Sequence, residues 1–245
     1  MRRLRGASSA ASGSLWAAIL ALGCAGGCAS GPRLSSWQTV PPSARDAAAF
    51  ATARRTVREA FPPVYRATQR AIITVRKHQF VCDGLLSVSP ADAWHLALIS
   101  TLGLVTDLRV KGDGSSEVLK VTPLFREQWA REYVAEELRW LFNPPPALAP
   151  AGCLSDGRLL LEAENRLEGV TARYVCSADG SRWEELEVSK GTRRLFHARI
   201  AGRRLFPGWP RAIPAEMDVV SATHQLQVRI VALSLATVSS PEAQR

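Results

Sequence analysis

Sulfur is the most reactive chemistry in this chain, which has five cysteines, Cys24, Cys28, Cys82, Cys153 and Cys176. The four histidines, His78, His95, His197 and His224, are scattered along predicted strands, and none has the spacing of a metal ligand set. His95 lies near Asp92 as an ordinary surface neighbour would. Glu184, Glu185 and Glu187 could pair as acid and base, but they alternate around Trp183 and Leu186 as a solvated strand face does. The sequence holds no G-x-S-x-G, no H-E-x-x-H, no P-loop and no G-x-G-x-x-G. It therefore assigns no catalytic residue, no metal and no cofactor, and the chain reads as a protein without enzymatic turnover.

Two of the cysteines have a distinctive setting. Arg2, Arg3 and Arg5 open the chain, residues 6–32 carry no charge, and the apolar run "SLWAAILALG" ends directly at Cys24. A basic start, a short apolar stretch and small residues before a cleavage point make a secretory signal. The run is about half the ~20 residues that a membrane-spanning helix needs. "LALGC" (20–24) resembles a lipobox, in which the cysteine is acylated and becomes the new N-terminus, and palmitate is the kind of chain it would carry. Cys28, after Ala25-Gly26-Gly27, is its rival. Alanine follows either cysteine, and the sorting rule of such lipoproteins then favours the outer membrane.

The expected organisation is a signal peptide over 1–23, a lipidated tether over 24–43, one domain over 44–235 and a flexible tail over 236–245. Without the signal the chain holds 28 basic and 22 acidic residues, a net charge of +6. An exported chain meets no nucleic acid, so this balance reads as a solvated basic surface. Attraction to anionic lipid head groups is the functional alternative, with Arg193-Arg194 and Arg203-Arg204 as candidates.

Periodicity supplies the elements that would position these residues. Ser, Pro and Gly over 29–45 read as a tether. A weakly amphipathic helix is predicted from about Ala44 to Phe61, stopped by Pro62-Pro63. Five alternating stretches follow, including "HQFVCDGLLSVS", "DAWHLALIS" and the pair "LVTDLRV" and "SSEVLKV" around a "KGDG" turn. Thr122-Pro123 then starts a helix predicted to run to Phe142, with Leu124, Trp129, Val134, Leu138 and Leu141 on one stripe. The proline-rich "NPPPALAPAG" ends it, and about six more strands complete the chain. This order gives a mainly β, α+β fold of about 11 strands whose curved antiparallel sheet needs a helix to cover one face.

Phe80, Trp94, Leu96, Leu98, Trp129, Tyr174 and Trp183 fall in these strands or in the long helix. They either fill the core between sheet and helix or line a cavity for an acyl chain. Cys153 and Cys176 align if "RLLLEAE" and "VTARYVC" turn near Glu164-Asn165, which would place them within reach of a disulfide. Separately buried thiols are the alternative. The stretch "LALISTLGLVTDLRV" (96–110) puts Leu102, Gly103 and Leu104 at a loop tip, where polar residues are usual.

Several of these stretches resemble the LolB-like lipoproteins of the LolA/LolB-like superfamily. They are "WHLALISTLGLVTDLRV", "NRLEGVTARYVCSADGSRWEELEV" and "PRAIPAEMDVVSATHQLQVRIVAL", within roughly residues 65–235. The resemblance implies an incomplete β-barrel plugged by helices, with an apolar interior that binds acyl chains. It also implies a monomer on the periplasmic face of the outer membrane that takes lipoproteins from a LolA-like periplasmic carrier. The exposed leucine implicated in membrane insertion matches Leu102, and the glycine after it matches Gly103. Thr101 stands where the family has proline, and Leu104 is bulkier than the usual residue there. An envelope-assembly lipoprotein with a fully packed barrel is the competing expectation.

Overall fold

Apolar side chains at every second position carry most of this chain into one antiparallel sheet. A computed structural model describes residues 39–43, 46–75, 78–89, 94–101, 103–111, 115–121, 131, 134–165, 168–222 and 226–237. The elements are β1 (Thr39–Val40), α1 (Ala47–Arg58), β2 (Tyr65–Val75), β3 (His78–Val88), β4 (Trp94–Ser100), β5 (Gly103–Val110) and β6 (Ser116–Val121). After α2 (Ala135–Phe142) come β7 (Ala149–Leu154), β8 (Leu159–Asn165), β9 (Val170–Cys176), β10 (Trp183–Lys190), β11 (Arg193–Arg204), β12 (Ile213–Ser221) and β13 (Leu226–Thr237).

Thirteen strands form one sheet in the order β1-β7-β8-β9-β10-β11-β12-β13-β2-β3-β4-β5-β6. Two meanders are thus sewn together by the last strand and the first long one. The seam runs from Leu226 opposite Val75 to Thr237 opposite Tyr65. Among the described residues β1 and β6 remain edges, so the sheet does not close, which is the incomplete barrel that the resemblance implies. The described residues belong to a single compact unit, Arg33–Arg245.

Two strands exceed the expected eleven. β1 lies in the segment read as tether, where Thr39 and Val40 pair with Leu154 and Cys153. β7 lies in the proline-rich stretch read as a loop. Proline lacks a backbone N–H and is tolerated only at sheet margins or bulges. Pro150 meets both conditions, since β1 covers only the far end of β7 and the register shifts between Pro150 and Gly152. β13 also runs through Thr237, past the boundary expected at 235.

Both helices meet the sheet with an apolar face. α1 begins three residues later than expected, where the Asp46 carboxylate accepts hydrogen bonds from the Ser43 N–H (2.8 Å) and hydroxyl (2.7 Å). Its buried stripe is Phe50, Ala53 and Val57. The helix predicted up to Phe142 is described as α-helix over Ala135–Phe142. Residues 122–130, among them Trp129, lie outside the described residues. Trp140, Leu141 and Phe142 are buried, and the Phe142 ring lies 5.3 Å from that of Phe61.

Gly180 allows α1 to seat. It has φ +73°, and a Cβ there would lie 2.3 Å from the Ala49 carbonyl oxygen and 2.7 Å from the Ala53 nitrogen. Gly191 has φ +55° with open space around it. Gly191→Ala should cost about 1 kcal/mol through its backbone alone. Gly180→Ala should cost roughly 2–4 kcal/mol, because a backbone must also move. Denaturant unfolding of the two variants checks this, and equal losses would show that α1 does not rest on this turn.

Candidate functional site

Alternation sends one face of every strand toward the concave side. On β4 that face carries Trp94, Leu96 and Leu98, all buried. On β9 and β10 it carries Tyr174 and Trp183, whose rings lie 5.7 Å apart at 54°. These residues belong to one continuous apolar cluster that also takes in Trp140 and Leu141 of α2. The Tyr174 hydroxyl donates to the Trp140 carbonyl at 3.1 Å, tying the last turn of α2 to the sheet. The Trp183 indole N–H donates to the Glu185 carbonyl at 2.9 Å.

Several buried polar atoms on this face lack such partners among the described residues, the Ser221 hydroxyl of β12 being one. The Tyr65 hydroxyl and the Trp94 indole nitrogen are buried with no hydrogen-bond partner among the described residues. They belong to one row across the sheet, because Tyr65 opposes Val88 and the next pairing places Trp94 one step beyond it. Tyr65 went unremarked in the sequence, although the alternation of Ala71 and Ile73 extends back through Ala67 to reach it. Trp140 was likewise missed, being set off the stripe assigned to the long helix.

Phe80 is corrected from interior to rim. Its parity matches that of the buried Cys82 and Leu86, yet it is 54% exposed. Pairing of β3 with β4 ends at Asp83 opposite Ile99, so residues 78–81 project past their neighbour. The β4–β5 turn lies at this same rim. Leu102 itself is outside the described residues. Gly103 has φ +107°, which favours glycine, with open space around its Cα, and the Ser100 hydroxyl donates to its carbonyl at 3.3 Å. Leu104 is half-buried opposite Ile99.

The cysteines do not form the expected disulfide. Cys82, Cys153 and Cys176 are free thiols. Cys153 opposes Leu159 on β8, and Leu159 in turn opposes Cys176 on β9. A whole strand therefore separates the two sulfurs, about 9–10 Å across the sheet, beyond a disulfide's reach. The expected register was wrong because the β8–β9 hairpin turns after Asn165, which pairs with Val170. Burial pushes the Cys176 thiol up to about 12. Cys24 and Cys28 lie outside the described residues.

The convex face is polar where it crosses β8 to β11. Arg173 meets Glu162 at 2.9 Å, Arg194 meets Glu187 at 3.0 Å, and Arg158 meets Glu185 at 2.6 Å. His197 lies 3.1 Å from Glu185. So the glutamates that the sequence offered as an acid–base pair are held by cations, Glu184 and Glu185 partly exposed and Glu187 buried. No group of His, Cys, Asp and Glu among the described residues could hold a metal.

The sequence matches no family model and no curated protein. Among solved structures the chain is similar to a LolA superfamily protein from Nitrosomonas europaea. The identity is 11% and the TM-score 0.52, over 80% of this chain and 94% of that one. It is also similar to a DUF1329 family protein from Desulfovibrio piger ATCC 29098. There the identity is 9% and the TM-score 0.53, over 81% of this chain and 98% of that one. The chain thus shares its fold with a LolA superfamily protein, as the resemblance in sequence anticipates.

The convex ion pairs make a pH prediction. The His197 hydrogen bond foremost, with Arg158, holds the Glu185 carboxyl down to about 2 against the effect of burial. A depressed carboxyl contributes stability that is full above its ordinary value near 4.5 and is lost as pH falls toward about 2. Thermal midpoints of Glu185→Gln should therefore lie below those of the unaltered chain at neutral pH, and the two should converge toward about pH 2. A constant gap across that window would show that Glu185 is not stabilised by its charge.

Proposed function

We propose that this chain is an exported lipoprotein anchored through Cys24, with Cys28 as its rival, whose open half-barrel binds acyl chains during lipoprotein localisation at the outer membrane. The observation that carries the proposal is the concave face. Its apolar wall of Tyr65, Trp94, Leu96, Leu98, Tyr174 and Trp183 includes two buried donors, the Tyr65 hydroxyl and the Trp94 indole N–H, without partners among the described residues. An unmade hydrogen bond in such a setting costs about 1–3 kcal/mol. An ester or amide carbonyl at the head of an acyl chain would satisfy both donors.

The likeness in fold to a LolA superfamily protein supports this reading. In it the protein is a monomer on the periplasmic face, receives acylated cargo from a LolA-like carrier, and does no chemistry of its own. The anchor and the loop have unequal roles. A buried leucine is worth roughly 1.5–3 kcal/mol, whereas each CH₂ of an attached acyl chain contributes about 0.8. Leu102 therefore perturbs the bilayer or touches cargo, and the lipid at the N-terminus holds the protein in place.

A second reading has its own observation. Tyr174, Trp183, Leu161 and Leu186 are wholly buried and α2 is bonded onto them, as expected of an envelope-assembly lipoprotein whose barrel is filled by its own core. Mass spectrometry of protein extracted in mild neutral detergent separates the two. The proposal expects co-purifying acyl species, and their absence supports the filled barrel. In cells depleted of their own lipoprotein receptor, the chain should restore lipoprotein sorting and Leu102→Glu should not. Equal rescue by Leu102→Glu would refute a role for the loop in insertion.

A further inference from the structure

Beyond the barrel, α1 forms one wall of a groove whose other wall is the segment after α2. Ala51, Arg54, Arg55, Arg58 and Glu59 face Pro146, Ala147 and Leu148 around about 520 Å³. Three guanidinium groups on little more than one helical turn make this the densest positive charge on α1. None of the three forms an ion pair with a described residue. The carboxylate in the groove, Glu59, is already engaged by Arg211.

Arg55 and Arg58 sit in the last turn of α1, where cations favour the helix dipole. That accounts for positive charge at this end of the helix. It does not account for Arg54, whose spacing of four from Arg58 sets like charges side by side and weakens the helix. Nor does it account for the apolar side of the groove, formed by Ala51, Pro146, Ala147 and the buried Leu148. Guanidinium groups bind phosphate oxygens through paired N–H donors. An apolar strip beside them suits the first methylenes of a chain.

The place of α1 in the chain selects a lipid over a soluble anion. β1 is the first described element, and α1 follows it by seven residues. Fifteen residues separate Cys24 from Thr39, a span of at most about 50 Å. The groove is thus tethered within reach of whichever membrane carries the anchor. We infer that the Arg54–Arg55–Arg58 groove binds the phosphate head group of an anionic phospholipid in that membrane. This positions the barrel relative to the bilayer, and it rests on the reading that the chain is lipid-anchored.

Full-length protein in neutral detergent would be offered phosphatidylglycerol, phosphatidylcholine or inorganic phosphate and weighed by native mass spectrometry. The unaltered chain should retain phosphatidylglycerol, with at least fivefold loss in the R54E/R55E/R58E variant and an intermediate loss in R54Q/R55Q/R58Q. Phosphatidylcholine should be retained weakly by all three. Since the arginines are exposed, both variants should fold. Equal retention of phosphatidylglycerol by all three proteins would overturn the inference. So would its displacement by an equal concentration of inorganic phosphate, which would mark a site for free phosphate. The same spectra give the intact mass, which reports the anchor, and the co-purifying acyl species, which report the barrel. Either of those readings can therefore fail independently of the groove.

Discussion

An antiparallel sheet that curls without closing has one face that must be kept from water, and the rest of this molecule follows from that requirement. Thirteen strands share the curvature, so an apolar surface far larger than a single helix stripe lies on the concave side. The last turn of α2 enters that space, bonded through the Trp140 carbonyl to Tyr174. α1 closes against the β9–β10 turn, where only a glycine leaves room for its backbone. These contacts leave the hairpin rim with Phe80 and the Gly103 turn open to solvent.

Charge is arranged to complement this. On β8 to β11 the convex side is crossed by carboxylates and guanidinium groups of neighbouring strands, so this half of the outer surface offers little to an apolar partner. Exposed apolar residues are spread over other strands and include Phe80 and Val81 near the hairpin rim and Ile99 beside the Gly103 turn. The three arginines of α1 stand apart from both, next to the segment that follows α2. The interior would meet an acyl chain, the rim a cargo or a bilayer, and the groove a head group. One chain thereby carries three surfaces of different polarity.

Much of this could be read from the residues, because strand alternation survives wherever one face is buried. Trp94, Leu96 and Leu98 fall on the concave side as their spacing requires, and Tyr174 and Trp183 meet there although eight residues of turn and strand separate them. The failures have specific causes. Phe80 obeys the parity of its strand but lies beyond the end of its neighbour, and strand length relative to a partner is not encoded locally. The pairing of Cys153 with Cys176 assumed one hairpin where there are two, because Pro150 hid β7 inside an apparent loop. The arginine groove was invisible for a different reason. Arg54, Arg55 and Arg58 read as the solvated side of a helix until Leu148, far along the chain, is placed against them.

The central claim is that the concave face admits a foreign acyl chain, and tryptophan quenching tests it most directly. In a chain whose Trp16, Trp37, Trp129 and Trp209 are replaced by Phe, only Trp94, Trp140 and Trp183 report, all three buried on that face. Adding a fatty acid brominated midway along its chain should quench their emission in a saturable way, and the unbrominated acid should compete the effect away. Emission that stays unchanged while the same brominated acid quenches a tryptophan at the exposed Phe80 position would contradict the claim and leave the barrel filled by its own side chains.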